Sequence, residues 1–383
     1  RLLTPMRRVG EKGAGEFEPI GWDDALDEIG TQLREVIATY GGEAIWPFYG
    51  TGSLGFVQGI KGAGQRLWNA LGASQHLMTI CHVAGEAGGR ITLGQGIGMD
   101  PEDLRHAKLI VMWGYNPLST GNHAWRFISE ARRNGAYLVA IDPIRTRSAA
   151  QSDQHIAIQP GTDAALALGL LNVVVGMGAE DSEFLRKHTN GWQEYKQRIL
   201  EYTPERVSEI TRIPAETIVS LGQRLATTRP SAIRVSNGMQ RHSGGGMASR
   251  TIHTIPAVTG DFTLPGGGVV YGTAPAFPAN MMKLRTGDLG PPTTRALSHT
   301  QMGENLLNLE DPPVKAIVIY CANPCASSPQ QETLHRGLSR EDLFTVVIEN
   351  FPTDTVDYAD IVLPSTMQTE HTEILNAGGH LYL

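Results

Sequence analysis

The sequence predicts an α/β protein built on doubly wound, mostly parallel sheets, and three observations predict it. Residues 108–163 read as one β-α-β unit, successive short apolar runs each end in a loop carrying polar groups, and the pattern returns near the end of the chain. In the unit, the runs Leu109–Trp113 and Tyr137–Ile141 stop at Gly114 and Pro117 and at Asp142 and Pro143. Both are short, flanked by turn formers and too apolar to alternate, as strands buried on both faces should be. Between them Trp125, Ile128, Ala131 and Arg132 keep a helical spacing that ends at Asn134 and Gly135, a left-handed helix stop. A third strand, 155–158, runs into QPGTD. The three strands deliver Asn116 and Ser119, Asp142 and Arg145, and Gly161, Thr162 and Asp163 to one sheet edge, where such folds bind ligands. The first expectation is a pocket for a nucleotide-sized anion.

Composition narrows the classes. A chain of 383 residues, 41% hydrophobic and 19% charged, is globular and long enough for two domains. A net charge of −7 gives no support for nucleic-acid binding. The longest apolar run, 166–179, falls short of the roughly 20 residues a membrane helix needs. It reads as a buried helix, so no membrane segment is expected. Three cysteines make no disulfide framework and require no oxidising compartment. The chain opens on Arg1 and stops at GGHLYL, which reads as an excerpt from a longer protein.

In chain order, 1–18 is basic, Gly-rich and expected to lie extended over the surface. Trp22–Tyr40 is an amphipathic helix with Leu26, Ile29, Leu33 and Val36 on one face and Asp23 and Asp24 at the positive end of its dipole. A strand at 44–49 feeds into GTGSLG, 50–55, which has the G-x-G-x-x-G spacing of a nicotinamide or flavin dinucleotide loop. That use expects a ribose-binding acid about 20 residues on. None occurs from 44 to 85, so tight turning and close packing are the favoured use of these glycines. In MTICHVAGEAGG, 78–89, Cys81 is expected at a strand or loop end, and the small residues after it would let a bulky ligand approach the backbone. Its thiolate would be the metal-binding or attacking form, and His82 could carry a proton near neutral pH. A lone cysteine also has a plain use as a small buried hydrophobe.

Further along, 164–176 is the buried helix, and Thr203 and Pro214 stand near the starts of two short helices. A strand at 232–236 opens on NGMQRHSGGG, where Gln240 and His242 either bond a ligand or cap the turn, and a helix is expected over 247–258. Residues 259–299, rich in Gly and Pro, show no periodicity and read as a long loop that is either functional or disordered. Strands at 314–320, 343–348 and 359–363 then place Asn323, Ser327 and Glu349 at a second set of strand ends. Cys321 and Cys325 have no nearby partners for zinc and read as structural.

Taken together, WGYNP at 113–117, IDP at 141–143, PGTDAA at 160–165, NGMQRHSGG, the Thr259-Gly260 pair with GGG after it, and ADIVLPS at 359–365 resemble the molybdopterin oxidoreductase family, in the family's order over the whole chain. This is the family of dimethyl sulfoxide reductase, periplasmic nitrate reductase and formate dehydrogenase. The resemblance implies two related doubly wound, Rossmann-like domains: a discontinuous one from 1–80 plus 273–383, and an inserted one at 81–272. It implies molybdenum or tungsten held by two molybdopterin guanine dinucleotides, with Cys81 as metal ligand and His82 beside it in a catalytic place. One dinucleotide would meet Gly114, Asn116, Ser119, Asp142, Gly161, Thr162 and Asp163, and the other Asn323 and Glu349. Gly238, Gln240 and His242 would line the loop facing the pterins, and a carboxylate suits a guanine edge because it accepts two N–H bonds.

The four-cysteine motif of the family's [4Fe–4S] centre is absent, as is the closing β-barrel domain, so that cluster is expected upstream of Arg1. The implied activity is two-electron redox or oxygen-atom transfer on a small substrate, with electrons exchanged with a partner subunit or carrier. The stretch alone is expected to show no turnover. Two other uses stay open at this point: a metal-free relative serving as a structural or electron-transfer subunit, as in the large iron–sulfur subunit of respiratory complex I, and an NAD-dependent dehydrogenase using GTGSLG.

Overall fold

A computed structural model describes residues 1–60, 62–94, 98–277 and 279–382. Position 278 of the long Gly/Pro segment and position 383 at the chain end lie outside the described residues. The strands in chain order are β1 Met6–Arg8, β2 Phe17–Pro19, β3 Ile45–Tyr49, β4 Gln75–Leu77, β5 Leu109–Trp113, β6 Tyr137–Ile141, β7 Gln154–Ile156, β8 Ser231–Val235, β9 Gly268–Val270, β10 Ala296–Ser298, β11 Ala316–Tyr320, β12 Phe344–Glu349 and β13 Ile361–Pro364. By contacts the chain divides into two compact units: Arg1–Ile80 with Ala279–Asn376, and Cys81–Pro278 with Ala377–Tyr382.

The unit beginning at Cys81 is a parallel sheet in the order β7-β6-β5-β8-β9. The chain moves outward from β5 to β7 and then returns to the other side of β5, so the winding reverses between β5 and β8. In doubly wound sheets ligands bind outside the carboxyl ends of the strands at such a reversal. The apolar run of β5 follows from double burial. Leu109, Val111 and Trp113 pack in one cluster with helix Asp163–Gly176, while Ile110 and Met112 pack in another with helix Asn122–Arg133. Each fully buried side chain of this size contributes about 1.5–3 kcal/mol. Helix Asp163–Gly176 buries residues all around its circumference, as the sequence predicts. Among the described residues no helix is long and apolar enough to cross a membrane.

The other unit holds a six-stranded sheet, β2-β1-β13-β12-β11-β3, in which β3, β11, β12 and β13 run parallel and β1 and β2 are antiparallel. Helix Trp22–Tyr40 buries Ala25, Leu33 and Val36 on one face of the sheet. Helices Met302–Asn308 and Gln331–Leu338 cover the other, with Met302, Leu306, Leu334 and Leu338 against Trp46, Phe48, Ile317 and Val347. The architecture is therefore α/β with mostly parallel sheets, as the sequence predicts.

Four expectations change. Residues 1–18 do more than lie extended over the surface: β1 pairs with β13, and Arg8 Nε and Lys12 Nζ reach the Asp360 carboxylate at 3.0 and 2.9 Å. The 259–299 segment is not structureless, since β9 completes one sheet and β10 pairs with β4. The helix expected at 247–258 is two, Gly245–Ile252 and Ile255–Thr259, because Pro256 has no N–H for a continuing ladder and sits instead in a new first turn. Finally, 273–277 and 377–382 pack with the unit that begins at Cys81 and not with the discontinuous one. There the Thr273 hydroxyl donates to the carbonyls of Ala377 and His380, both at 2.9 Å, and Tyr382 Oη donates to Glu102.

Candidate cofactor and metal site

Cys81 precedes helix Val83–Leu93, with His82 in the capping position. The glycines after it make room for another helix and not for a bulky ligand, which corrects the sequence-based expectation. A Cβ at Gly88 would stand 2.1 Å from Gly246 O, and one at Gly85 would stand 2.6 Å from Tyr271 Oη. Helix Gly245–Ile252 fills that space, and Ser249 Oγ donates to Gly85 O at 2.7 Å. Gln240, itself buried, then ties the two segments together: its Nε2 donates to Cys81 O at 2.7 Å and its Oε1 accepts from Gly85 N at 2.6 Å. The backbone at Cys81 is thus fixed by a residue from the loop that leaves β8.

The Cys81 thiol is half-buried, with Asn237 Nδ2 at 3.9 Å from Sγ. Its pKa lies below the ordinary thiol value, chiefly through the hydrogen bond with His82, while burial opposes the shift. His82 is raised to about 9, first by Cys81 and then by Glu86, whose Oε2 lies 2.9 Å from Nε2. An imidazolium beside the thiol, at a helix start, shifts Cys81 toward its thiolate form. Glu86, Asn237 and Tyr271 escaped the sequence reading. Tyr271 Oη donates to Asn237 Oδ1 at 2.9 Å, and burial keeps its phenol protonated. Glu86 was legible as the i+4 partner of His82 on a helix; the other two meet Cys81 only in the fold.

At the sheet edge, β5 and β6 end in register, Trp113 opposite Ile141, so Gly114 and Asp142 leave from neighbouring strands. Gly114 has φ 59°, and a Cβ there would stand 2.7 Å from Met239 N, which brings Gly238 and the β8 loop against it. Gly161, φ 85°, turns the chain beside His242. Asp163 is buried, accepting from Trp113 Nε1 at 2.8 Å and lying 3.5 Å from His242 Nε2, and burial pushes its pKa up. Thr162 Oγ1 donates to Gln159 O at 2.7 Å, Asp142 Oδ1 accepts from Ile144 N at 3.0 Å, and Ser119 is exposed. Asp163 and Thr162 thus have partners within the protein and shape the edge from beneath. In the other unit Asn323 lies in the turn after β11, just before the short helix Pro324–Ser327, and Glu349 ends β12, with Glu349 Oε1 accepting from Asn350 N at 2.6 Å.

The remaining motifs take structural work. Gly50 and Gly52 pass close to Cys321 O, and Gly55 leaves room for the Glu373 carboxylate, which accepts from the amides of Val57, Gln58 and Gly59 at 2.7, 2.7 and 2.9 Å. The next helix among the described residues, Gln65–Ala70, starts well beyond GTGSLG, whereas in a dinucleotide fold the glycine loop itself opens the helix. Cys325 is buried, and burial pushes its thiol up to about 11. Among the described residues no group of three or more His, Cys, Asp or Glu side chains could hold a metal ion. A metal at Cys81 would need its other donors from a cofactor, and a single activated thiol fits that arrangement.

This α/β fold, with polar groups at its strand ends and a thiol beside a histidine, is what the comparisons place in a class: the molybdopterin oxidoreductase family model matches residues 1–381, and the chain belongs to that family. The family's cofactor is a molybdopterin carrying molybdenum or tungsten. Among relatives, the chain is 39% identical over 384 residues to the "Probable oxidoreductase YoaE" of Bacillus subtilis (strain 168), covering 100% of this chain and 56% of the relative. It is 32% identical over 431 residues to "Dimethyl sulfoxide reductase DmsA" of Escherichia coli (strain K12), covering 97% and 52%. The solved structure of "Acetylene Hydratase from Pelobacter acetylenicus" shares the fold, with a TM-score of 0.81 at 24% identity over 99% of this chain and 57% of that one. The chain spans about half the length of the curated relatives it matches.

Proposed function

We propose that this chain is the pterin-binding core of a molybdenum or tungsten oxidoreductase catalytic subunit, which when intact carries out two-electron redox or oxygen-atom transfer on a small substrate. The observation that carries the reading is Cys81: an activated, half-buried thiol fixed through Gln240 to the loop leaving β8, at the reversal of the sheet. The bound cofactor would supply a metal that cycles between oxidation states two electrons apart. Cys81 would be its protein ligand. His82, held by Glu86, keeps a proton beside the thiol, and Tyr271 with Asn237 orients that side of the site.

Two matched sets of strand ends support a cofactor in the form of two guanine dinucleotides. Gly114, Asn116, Ser119, Asp142 and Gly161 would meet one, with Thr162 and Asp163 supporting that edge from below. Asn323 and Glu349 would meet the other, and Gly238, Gln240 and His242 would face the pterins. Asp142 and Glu349 each offer a carboxylate to N–H donors of the ligand. A [4Fe–4S] centre in the upstream part of the whole protein, and an electron-transfer subunit or carrier beyond it, would pass the electrons. We take the two compact units as the domains of that protein.

The test is made on the full-length protein in a host that assembles the cofactor. Cys81→Ala should retain pterin, measured by its fluorescence after oxidation, yet lose at least about 100-fold in turnover, the scale on which loss of a group acting only in the transition state is felt. Unchanged kinetics would return Cys81 to a packing role. Absence of both molybdenum and tungsten from the purified protein would favour a metal-free structural relative.

A further inference from the structure

The two sheets contain one segment twice. Residues 108–158 and 315–365 align without a gap, each position recurring 207 later, as from 116 to 323 and from 148 to 355. Strands β5, β6 and β7 begin at 109, 137 and 154, and β11, β12 and β13 at 316, 344 and 361. The agreement extends to single hydrogen bonds. Asn116 and Asn323 have φ, ψ of −116°, 72° and −119°, 77°, and each precedes a proline that opens a short helix. Asn116 Oδ1 accepts from Ser148 Oγ at 2.6 Å, and Asn323 Oδ1 accepts from Thr355 Oγ1 at 2.6 Å. The amide two residues after each asparagine donates to the same hydroxyl: Leu118 N to Ser148 Oγ at 3.1 Å and Cys325 N to Thr355 Oγ1 at 3.2 Å.

Ser148 and Thr355 are wholly buried, while Asn116 and Asn323 are half-exposed at their strand ends. In each trio a backbone N–H occupies a lone pair of the hydroxyl, and the hydroxyl proton goes to the asparagine oxygen. In the first trio Ser148 N also points at Oδ1, at 3.4 Å, and a flipped amide would set two donors against each other. Neither Nδ2 has a protein acceptor among the described residues, and neither is buried. A fold that twice spends a buried hydroxyl on turning one amide group outward is presenting a donor.

We infer that Ser148 and Thr355 are positioning residues, each locking the carboxamide of its strand-end asparagine so that Nδ2 donates to an acceptor oxygen of a nucleotide ligand. The inference rests on the guanine-nucleotide reading above and adds two residues to it. Serine and threonine are interchangeable here because only the hydroxyl is used. The second copy already makes that exchange.

The test uses the full-length protein prepared without cofactor, with GDP as the probe in isothermal titration, alongside amide hydrogen exchange. Ser148→Ala should weaken GDP binding at one site by about three- to tenfold, the scale of one hydrogen bond. Thr355→Val should do the same at a second site. Ser148→Thr and Thr355→Ser should restore both, which a packing defect would not permit. Exchange of the Leu118 and Cys325 amides should quicken in the matching variants. Unchanged exchange would overturn the lock, and faster exchange with unaltered GDP affinity would overturn its role in binding. A parent protein that takes up no GDP would sink the nucleotide reading and the positioning role with it, even where exchange shows the lock intact.

Discussion

The two copies of the strand-end segment agree in their frame and differ in what surrounds it. In both, an aspartate closes the turn before the third strand: Asp153 Oδ2 accepts from Leu138 N at 2.8 Å, and Asp360 Oδ2 accepts from Thr345 N at 2.7 Å. Among the described residues the Asp153 side chain otherwise meets Arg132, at 3.4 Å and partly exposed, whereas Asp360 also carries Arg8 and the buried ammonium of Lys12. At the left-handed position before the asparagine, the first copy has Gly114 and the second Cys321, with φ of 59° and 53°. Backbone geometry is what the copies share, and each unit has loaded the same frame with different side chains.

The largest test of that difference removes the shared aspartate. Asp360→Ala should cost about 3–5 kcal/mol, because the Lys12 charge is left buried and unpaired. Asp153→Ala should cost only about 1 kcal/mol, one hydrogen bond at a partly exposed site. Denaturant melts of the two variants measure both, and equal losses would remove the distinction.

Acid should separate the units next. His76, in the unit built around β3, is buried against Phe48 and Tyr49, and burial lowers its pKa to about 3. A group held neutral in this way stabilises the fold fully above its unfolded value of about 6.5, and that stability drains as pH falls toward 3. His253, in the other unit, is also lowered by burial, but its Nδ1 lies 2.7 Å from Ser249 O, which opposes the shift. Hydrogen exchange followed from pH 7 to 4 should show β3, β11 and β12 loosening before β5 and β6. His76→Phe should blunt that order.

The smallest difference between the copies lies at the left-handed position before the asparagine. Gly114→Ala should destabilise by about 1–3 kcal/mol, since the new Cβ meets Met239 N in a left-handed backbone. Cys321→Gly should cost less than about 1 kcal/mol or stabilise, because it relieves the same strain while losing a small side chain. Thermal melts of both variants decide it, and a loss at Cys321 as large as that at Gly114 would mean that the thiol's packing outweighs the backbone term.

The longer strands β3, β5, β6, β8, β11, β12 and β13 and the helices Trp22–Tyr40 and Asp163–Gly176 were legible because burial on two faces, or all round, leaves an unbroken apolar run between turn formers. The polar strand ends were legible for the complementary reason, since a strand must stop where its apolar run stops. Less could be read where partners lie far off in the chain. The anchoring of residues 1–18 was hidden because Asp360, which binds Arg8 and Lys12, is more than 300 positions away. The glycines at 85, 88 and 89 looked like ligand clearance because Gly246 and Ser249 were not visible as their neighbours. Likewise GTGSLG resembled a phosphate loop until Glu373 was found on the amides beside it.

By itself, then, the sequence determined which stretches become the longer strands and the longest helices and which polar groups stand at their ends, because hydrophobic period and turn chemistry act over a few residues. Only the tertiary structure decided that Gln240 grips Cys81, that Glu86 and Tyr271 belong to its surroundings, and that Ser148 and Thr355 fix their asparagines. Those are hydrogen bonds between residues brought together by chain crossings, and their strength depends on distances that no local pattern encodes.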